Sequence, residues 1–280
     1  DPDADRIGIA VRNKKGRMTL LNGNQMAVIL SYYILERWRE TGKLKEGNNP
    51  AFYMVKTIVT TDLLKSIAAE YGVDIYDVLT GFKYIAEVVR ENEGKREFIC
   101  GGEESYGFNV GEFVRDKDAV VSALLVAEAA AWAKERGMSL YEMLIEIYIK
   151  FGFYKERLLS VTKKGIDGSV QIKQIMKNLR ESPLQNLGDS QVVLVHDYQK
   201  SESVDMISDL RFKINLPKSN VLQFVSADNG IVSVRPSGTE PKIKYYFGVK
   251  ERLDKAEDFD KVDKHLDKML DKMVNQLKSL

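Results

Sequence analysis

One cysteine in 280 residues, Cys100, excludes an intramolecular disulfide framework and every cysteine-rich zinc module, and it fits a reducing, cytoplasmic setting. Histidine is nearly as scarce. Neither His196 nor His265 has a second histidine or cysteine at ligand spacing, or a serine with which to build a triad, so both read as structural. There is no excess of either charge: 42 Lys and Arg meet 41 Asp and Glu, a net charge of +1. A dedicated binder of nucleic acid or anionic membrane is thereby excluded, and any anion site must be local. A long apolar run is also missing, because the longest, Val120–Ala133, is broken by Ser122 and Glu128 and falls short of the ~20 residues of a bilayer span. No initiator methionine and no signal-peptide core precede the acidic run at Asp1, which points to a piece of a longer chain. What remains is an ordinary globular composition, 44% hydrophobic and 9% aromatic, long enough for about two domains with separate cores.

The pattern along the chain divides accordingly. Residues Arg6–Arg12 and Arg17–Leu21 alternate around Asn13-Lys14-Lys15-Gly16 and predict a hairpin. Asn22-Gly23-Asn24 then opens a periodic stretch that stops at Gly42, an Asn-capped helix with a glycine end. Phe52–Thr60 reads as a strand, followed by a Thr-capped helix ending at Gly72. Phe82–Asn92 is helical, Glu97–Cys100 a short strand, and Asp118–Arg136 and Ser139–Lys150 two further helices. Strands alternating with helices predict a layered α/β domain. A seam falls at Phe151–Tyr154. Beyond it a helix over Val170–Arg180 sits among strands near 157–162, 192–195, 211–214, 222–225, 231–234 and 242–249, an α+β arrangement with a mostly antiparallel sheet. A last helix carries an apolar stripe at Phe259, Val262, Leu266, Met269, Met273 and Leu277, expected to cover that sheet.

Three stretches can carry chemistry. Asp1-Pro2-Asp3-Ala4-Asp5-Arg6 puts three carboxylates at alternate positions, able to curl around a hard cation such as Mg²⁺, while Arg6 can moderate the charge or hold a phosphoryl oxygen. Calcium is a poorer match, because the glycine and distant glutamate of an EF-hand loop are absent. Gly101-Gly102-Glu103-Glu104-Ser105-Tyr106-Gly107 follows a strand end, where α/β proteins bind ligands, and its carboxylates and hydroxyl suit sugar hydroxyls. Adjacent Glu103 and Glu104 should point different ways, so one of them faces a ligand. In Arg235-Pro236-Ser237-Gly238-Thr239-Glu240-Pro241 an Arg fork, two hydroxyls and freed N–H groups converge as a phosphate dianion requires, with Lys242 and Lys244 adding charge. Each stretch also has a plain reading as a solvated turn.

In this order and spacing the three loops resemble the α-D-phosphohexomutase family of phosphoglucomutases and phosphomannomutases: DPDADR its metal loop, GGEESYG its sugar loop, RPSGTEPK its phosphate loop. The resemblance implies the tail of a second domain at 1–22, an α/β third domain with a mixed sheet at 23–153, and an α+β fourth domain at 154–280. It implies Mg²⁺ on Asp1, Asp3 and Asp5, and sugar contacts from Glu103 and Ser105. It implies phosphate contacts from Arg235, Ser237, Gly238 and Thr239. Lys56, Thr80 and Gly81 would touch substrate, and Arg6 and Lys117 would stand on the catalytic side. The family's phosphoserine domain has no counterpart here, since no TxSHN-like segment occurs, so the chain alone is expected to be inactive. The implied ligands are hexose phosphates and bisphosphates, interconverted through a phosphoserine, with GEES favouring glucose over mannose. Pentose phosphate and glucose 1,6-bisphosphate-forming members share much of the pattern, and a non-catalytic sugar-phosphate-binding module stays open. A haloacid-dehalogenase-type phosphatase also uses DxD with Mg²⁺, but it needs an apolar strand before the first Asp and Thr or Val where Asp5 stands.

Overall fold

In the computed structural model, residues 1–163, 167–238 and 240–278 are described. The chain forms two compact units, residues 1–152 and 153–280.

The first unit opens with the antiparallel hairpin β1 (Ile9–Arg12) and β2 (Met18–Leu21), paired Ile9 to Leu21 and Arg12 to Met18. Helix α1 (Gly23–Glu40) starts at Asn22, whose side chain accepts from the Gln25 N–H while the Gln25 side chain accepts from the Asn22 N–H. That reciprocal cap satisfies two otherwise orphaned donors. Then come β3 (Phe52–Thr57), α2 (Leu63–Glu70), β4 (Asp74–Val78), α3 (Phe82–Asn92), β5 (Glu97–Gly102), β6 (Phe108–Val110), α4 (Ala119–Glu135) and α5 (Leu140–Phe151). The sheet order is β4-β3-β5-β6, with β4 and β5 parallel to β3 and β6 antiparallel to β5. It is the mixed sheet expected of this half. Tyr53, Val55, Val78 and Phe98 on the strands meet Phe82, Ile85 and Val89 of α3 in one apolar cluster. Strand β3 supplies Lys56 as well, a residue with no solvent exposure at all.

Two strands of this unit escaped the sequence reading. β4, with the sequence Asp-Ile-Tyr-Asp-Val, is an edge strand, mostly half-buried, and its two aspartates break the apolar alternation that marks a strand. β6 has three residues, too few to show a period. The strand read as Phe52–Thr60 stops at Thr57, where the Thr60 N–H donates to the Thr57 carbonyl and turns the chain.

The second unit comprises β7 (Phe153–Thr162), α6 (Asp167–Glu181), β8 (Asn186–Leu187), β9 (Ser190–Asp197), β10 (Glu202–Asp205), β11 (Arg211–Lys213), β12 (Leu222–Ser226), β13 (Ile231–Pro236), β14 (Lys242–Glu251) and α7 (Phe259–Lys278). Its sheet runs β11-β10-β9-β12-β13-β14-β7, with β8 on β9, and every pairing among the described residues is antiparallel. Helix α7 lies on the face that carries Phe153, Lys155 and Arg157. Phe153 and Phe259 stack at 5.0 Å, Lys155 reaches Asp263 at 2.6 Å, and Arg157 reaches Asp267 at 2.8 Å. The helix covers its own sheet, as its stripe predicts. The buried set, Leu266, Leu270, Met273, Val274 and Leu277, shares three residues with that stripe and adds Leu270 and Val274, while Phe259, Val262 and Met269 are half-buried.

Gly72 shows how tightly the first unit is closed. Its φ is +60°, and a Cβ there would stand 2.1 Å from the Gly47 carbonyl oxygen. Gly72→Ala is therefore expected to cost roughly 2–4 kcal/mol, as a left-handed backbone and a backbone overlap are forced together. Urea unfolding checks this, and an unchanged midpoint would contradict it.

Candidate functional site

The acidic loop converges. Ala4 adopts φ +56°, its N–H donating to the Asp1 carbonyl at 3.1 Å, and this tight turn gathers Asp1, Asp3 and Asp5 so that one carboxylate oxygen from each lies within 4.8 Å of the others. Two cations sit among them. Arg6 Nε donates to Asp1 Oδ2 at 2.7 Å and to Asp5 Oδ1 at 3.2 Å, and Lys117 Nζ stands 3.1 Å from Asp5 Oδ2 and 2.9 Å from Asp116 Oδ1. The hydrogen bond from Lys117, with the charges of Lys117 and Arg6, holds the Asp5 carboxyl below the usual carboxylate range. Partial burial pulls the Lys117 ammonium down, but its bonds to Asp116 and Asp5 outweigh it and the net shift is upward, so Lys117 is a cation here.

The glycine-flanked loop is pinned from several sides. Glu103 N–H donates to the Gly107 carbonyl at 2.8 Å, closing the turn, and an isolated antiparallel bridge pairs Gly107 with Arg6. The acidic loop and the glycine-flanked loop thus lie side by side. The Ala119 N–H, at the start of α4, donates to the Ala4 carbonyl at 3.0 Å and fixes the acidic loop from below. A Cβ on Gly107 would lie 2.4 Å from Lys117 Cδ, so the lysine stem crosses directly over that glycine. A Cβ on Gly23 would fall 2.2 Å from the Glu104 carbonyl oxygen, so the first turn of α1 supports the loop from its other side. Tyr106 bends the loop with φ +73°, and its ring comes against Gly8.

The two glutamates separate as their adjacency predicts. Glu103 Oε1 accepts from the Gly81 N–H at 3.0 Å, at the N-terminus of α3, which joins Thr80 and Gly81 to the same locality. Gly81 takes φ +122°, a conformation that favours glycine, and so presents that N–H. Glu104 Oε2 lies 3.4 Å from the hydroxyls of both Thr57 and Thr60. Ser105 and Tyr106 are exposed at the loop tip. Spacing alone could not have shown the parts of Thr57 and Thr60, because both act through a fold contact with Glu104, whereas Asp116 pairs with its sequence neighbour Lys117.

Lys56 is placed differently from the residues around it. Its Nζ is buried, donating to the Thr57 and Thr60 carbonyls at 3.1 and 3.0 Å and standing 2.9 Å from Asp62 Oδ1 and 3.0 Å from Asp77 Oδ1. Lys65 closes the ring, 3.0 Å from Asp62 and 2.7 Å from Asp77. Asp77 Oδ1 receives no directed hydrogen bond despite that proximity. With the three protons of an ammonium committed inside the chain, nothing of Lys56 faces outward.

In the second unit, the phosphate-type loop joins β13 to β14. The Ser237 N–H donates to the Lys242 carbonyl at 2.7 Å, and Lys242 Nζ pairs with Glu240 at 2.8 Å. Arg235 and Lys244 are cross-strand partners and share a face of the sheet, and neither forms an ion pair with any described residue. Gly238 is exposed, with open space where a Cβ would stand. Thr239, expected to complete this set, lies outside the described residues. Cys100 is fully buried, its thiol pushed up to about 12 by desolvation, which suits a small core residue. His196 Nδ1 meets Ser203 Oγ at 2.5 Å within the sheet, and His265 lies 3.8 Å from Glu251.

Comparison with known proteins gives the family of the chain. The family model "Phosphoglucomutase/phosphomannomutase, alpha/beta/alpha domain III" matches residues 22–151, and that for the C-terminal domain of the same proteins matches residues 185–264. The chain belongs to the phosphoglucomutase/phosphomannomutase family. Phosphoglucomutase of Staphylococcus aureus strain MSSA476 is 40% identical over 252 residues, 90% of this chain, and that of strain MRSA252 is 40% identical over 262 residues. The chain spans 44% and 45% of the length of these two relatives. Among solved structures, parafusin (a phosphoglucomutase) from Paramecium superposes with a TM-score of 0.58 at 18% identity, covering 91% of this chain and 40% of its own. A phosphoglucomutase/phosphomannomutase family protein from Burkholderia thailandensis gives 0.55 at 17%, covering 99% and 45%. At such identity they show a shared fold.

The charge ring at Lys56 carries a pH signature. Burial raises the Asp62 carboxyl, but the charges of Lys56 and Lys65 overcome this and leave it below its ordinary 3.8. A carboxylate with a depressed folded value contributes stability that is present above the unfolded value and lost as pH falls through the folded one. Unfolding free energy is therefore expected to drop below about pH 4, and the drop should be shallower in Asp62→Asn. Denaturant melts at stepped pH check this, and parallel curves for the two proteins would contradict it.

Proposed function

We propose that this chain forms the metal-holding, sugar-reading and distal phosphate-binding parts of a Mg²⁺-dependent phosphohexomutase, an isomerase that interconverts hexose 1- and 6-phosphates. Residues 1–22 are read as the end of the second domain, 23–153 as the third and 154–280 as the fourth. The observation that carries the reading lies within the first unit: the three-carboxylate loop and the glycine-flanked loop are joined by the Arg6–Gly107 bridge and share Lys117. No ordinary surface turn needs that arrangement.

The carboxylates fit the proposed ion. Three carboxylate oxygens within 4.8 Å of one another are the hard, anionic donor set that Mg²⁺ takes, and Asp1, Asp3 and Asp5 would hold it. When bound, Mg²⁺ neutralises negative charge on a transferring phosphoryl group. The chain's own groups do the rest. Arg6, held between Asp1 and Asp5, presents a planar cation beside that charge, and Lys117 adds a second. Glu103, oriented by the Gly81 N–H, and exposed Ser105 read sugar hydroxyls, with Thr80 beside them. Arg235, Ser237 and Gly238, with Thr239, hold a phosphate dianion that is not transferred, and the cross-strand pairing of Arg235 with Lys244, two cations side by side, supports this role. A clamp that reads only a dianion accepts either end of a bisphosphate, which a mutase requires. The phosphoserine that gives and takes the phosphoryl group belongs to the part of the protein outside these 280 residues. Glucose phosphates are the preferred substrates, with mannose phosphates second, on the strength of the GEES loop.

Calorimetry with glucose 1-phosphate, inorganic phosphate and Mg²⁺ tests the assignment. Arg235→Ala is expected to weaken both phosphates by at least about tenfold, Glu103→Gln to weaken only the sugar phosphate, and Asp3→Asn to weaken Mg²⁺ by a similar factor. Binding of glucose 1-phosphate no tighter than that of inorganic phosphate, indifferent to Glu103, would sink it. In a coupled assay the chain alone should produce no glucose 6-phosphate, and turnover would refute the placement of the phosphoserine elsewhere.

A further inference from the structure

Lys56 is the most deeply buried charge in the first unit and the only functional candidate there whose ammonium is spent wholly inside the chain. Its partners lead somewhere specific. The two carbonyls it holds, those of Thr57 and Thr60, are the ends of the turn that terminates β3, and the Thr60 N–H closes the same turn onto the Thr57 carbonyl at 3.0 Å. This brings the two threonine hydroxyls to 2.9 Å from each other, and both stand 3.4 Å from Glu104 Oε2. Glu104 is the neighbour of Glu103 and Ser105, and its backbone rests on Gly23.

We propose that Lys56 is a positioning residue, fixing the sugar loop through the Thr57–Thr60 turn and Glu104 rather than touching a ligand itself. Glu104 acts as a strut. Its carboxylate, anchored on the hydroxyl pair, sets where the next residues stand, so that Glu103 points to the N-terminus of α3 and Ser105 to the open side. The ring with Asp62, Lys65 and Asp77 supplies the counter-charge that lets an ammonium stay in this interior, since a buried cation without partners would lose its proton or unfold the site. Asn24 of α1 secures the turn from its other side, its Oδ1 accepting from the Thr61 N–H at 3.0 Å. The inference rests on the reading of residues 103–105 as a sugar-recognition loop.

Thr60 offers the test, because Thr60→Val keeps shape and removes the hydroxyl, whereas Thr60→Ser keeps the hydroxyl. In the 280-residue chain, Thr60→Val is expected to raise the dissociation constant for glucose 1-phosphate by about tenfold, the loss of a hydrogen bond to a charged group, and to leave that for inorganic phosphate unchanged. Thr60→Ser should stay within about twofold of the parent on the same scale. Lys56→Met, measured at a temperature where circular dichroism shows it folded, should reproduce the Val pattern. Amide shifts of Glu103, Ser105 and Gly107 should move in Thr60→Val and Lys56→Met and remain in Thr60→Ser. A purely structural lysine would lower the melting temperature and leave both the ligand ratio and the loop amides alone, and that outcome overturns the proposal. Should the parent chain bind no glucose 1-phosphate, the sugar-loop reading fails, while the loop amides still decide whether Lys56 sets the loop.

Discussion

Three carboxylates within 4.8 Å of one another repel, and the first unit is organised around the cations that offset this repulsion. Arg6 and Lys117 each stand close enough to bond Asp5, and each is tied to the neighbouring loop, Arg6 by a backbone bridge to Gly107 and Lys117 by the passage of its stem over the same glycine. Charge compensation and loop placement are therefore one arrangement. On the proposed reading, an incoming divalent ion would meet carboxylates already gathered beside two cations. This preorganisation is the kind of electrostatic arrangement that phosphoryl transfer rewards, since little covalent chemistry is left for the protein to perform.

A second set of charges, half-buried side chains gathered around the buried ammonium of Lys56, does different work. Lys56, Asp62, Lys65 and Asp77 alternate in sign around a closed ring at the ends of β3 and β4. Paired ions in an interior seldom add much net stability, because desolvation consumes what attraction returns. Their use is geometric: an ammonium surrounded this way has one place to stand, and the turn it holds has one shape.

The sequence made the element order legible wherever a period or a cap was present. Asn22 with Gln25, Ser139 with Glu142, and the glycines at 42, 72, 94 and 137 mark helix ends by local backbone chemistry, and the helices follow them. β4 and β6 escaped because an acidic edge strand and a three-residue strand carry no alternation to read. The candidate site divides the same way. Its loops were visible as clusters of carboxylate, hydroxyl and glycine. Lys56 could be picked out, but its burial could not, because partners 6 and 21 positions further on, Asp62 and Asp77, meet it only once β3 and β4 lie side by side. Thr57 and Thr60 stayed hidden for the same reason, since Glu104 lies 47 and 44 positions beyond them.

Tyr106 holds a left-handed backbone that glycine would adopt at no steric cost, and it does so at the tip of the glycine-flanked loop. Glycine in its place would relieve local strain and also free the chain to wander, since the ring against Gly8 would be gone. Variation at this one position thus exchanges fold stability for order in the loop, and family members with different aromatic or small residues there would differ in how much of their binding energy is spent arresting the loop rather than gripping the ligand.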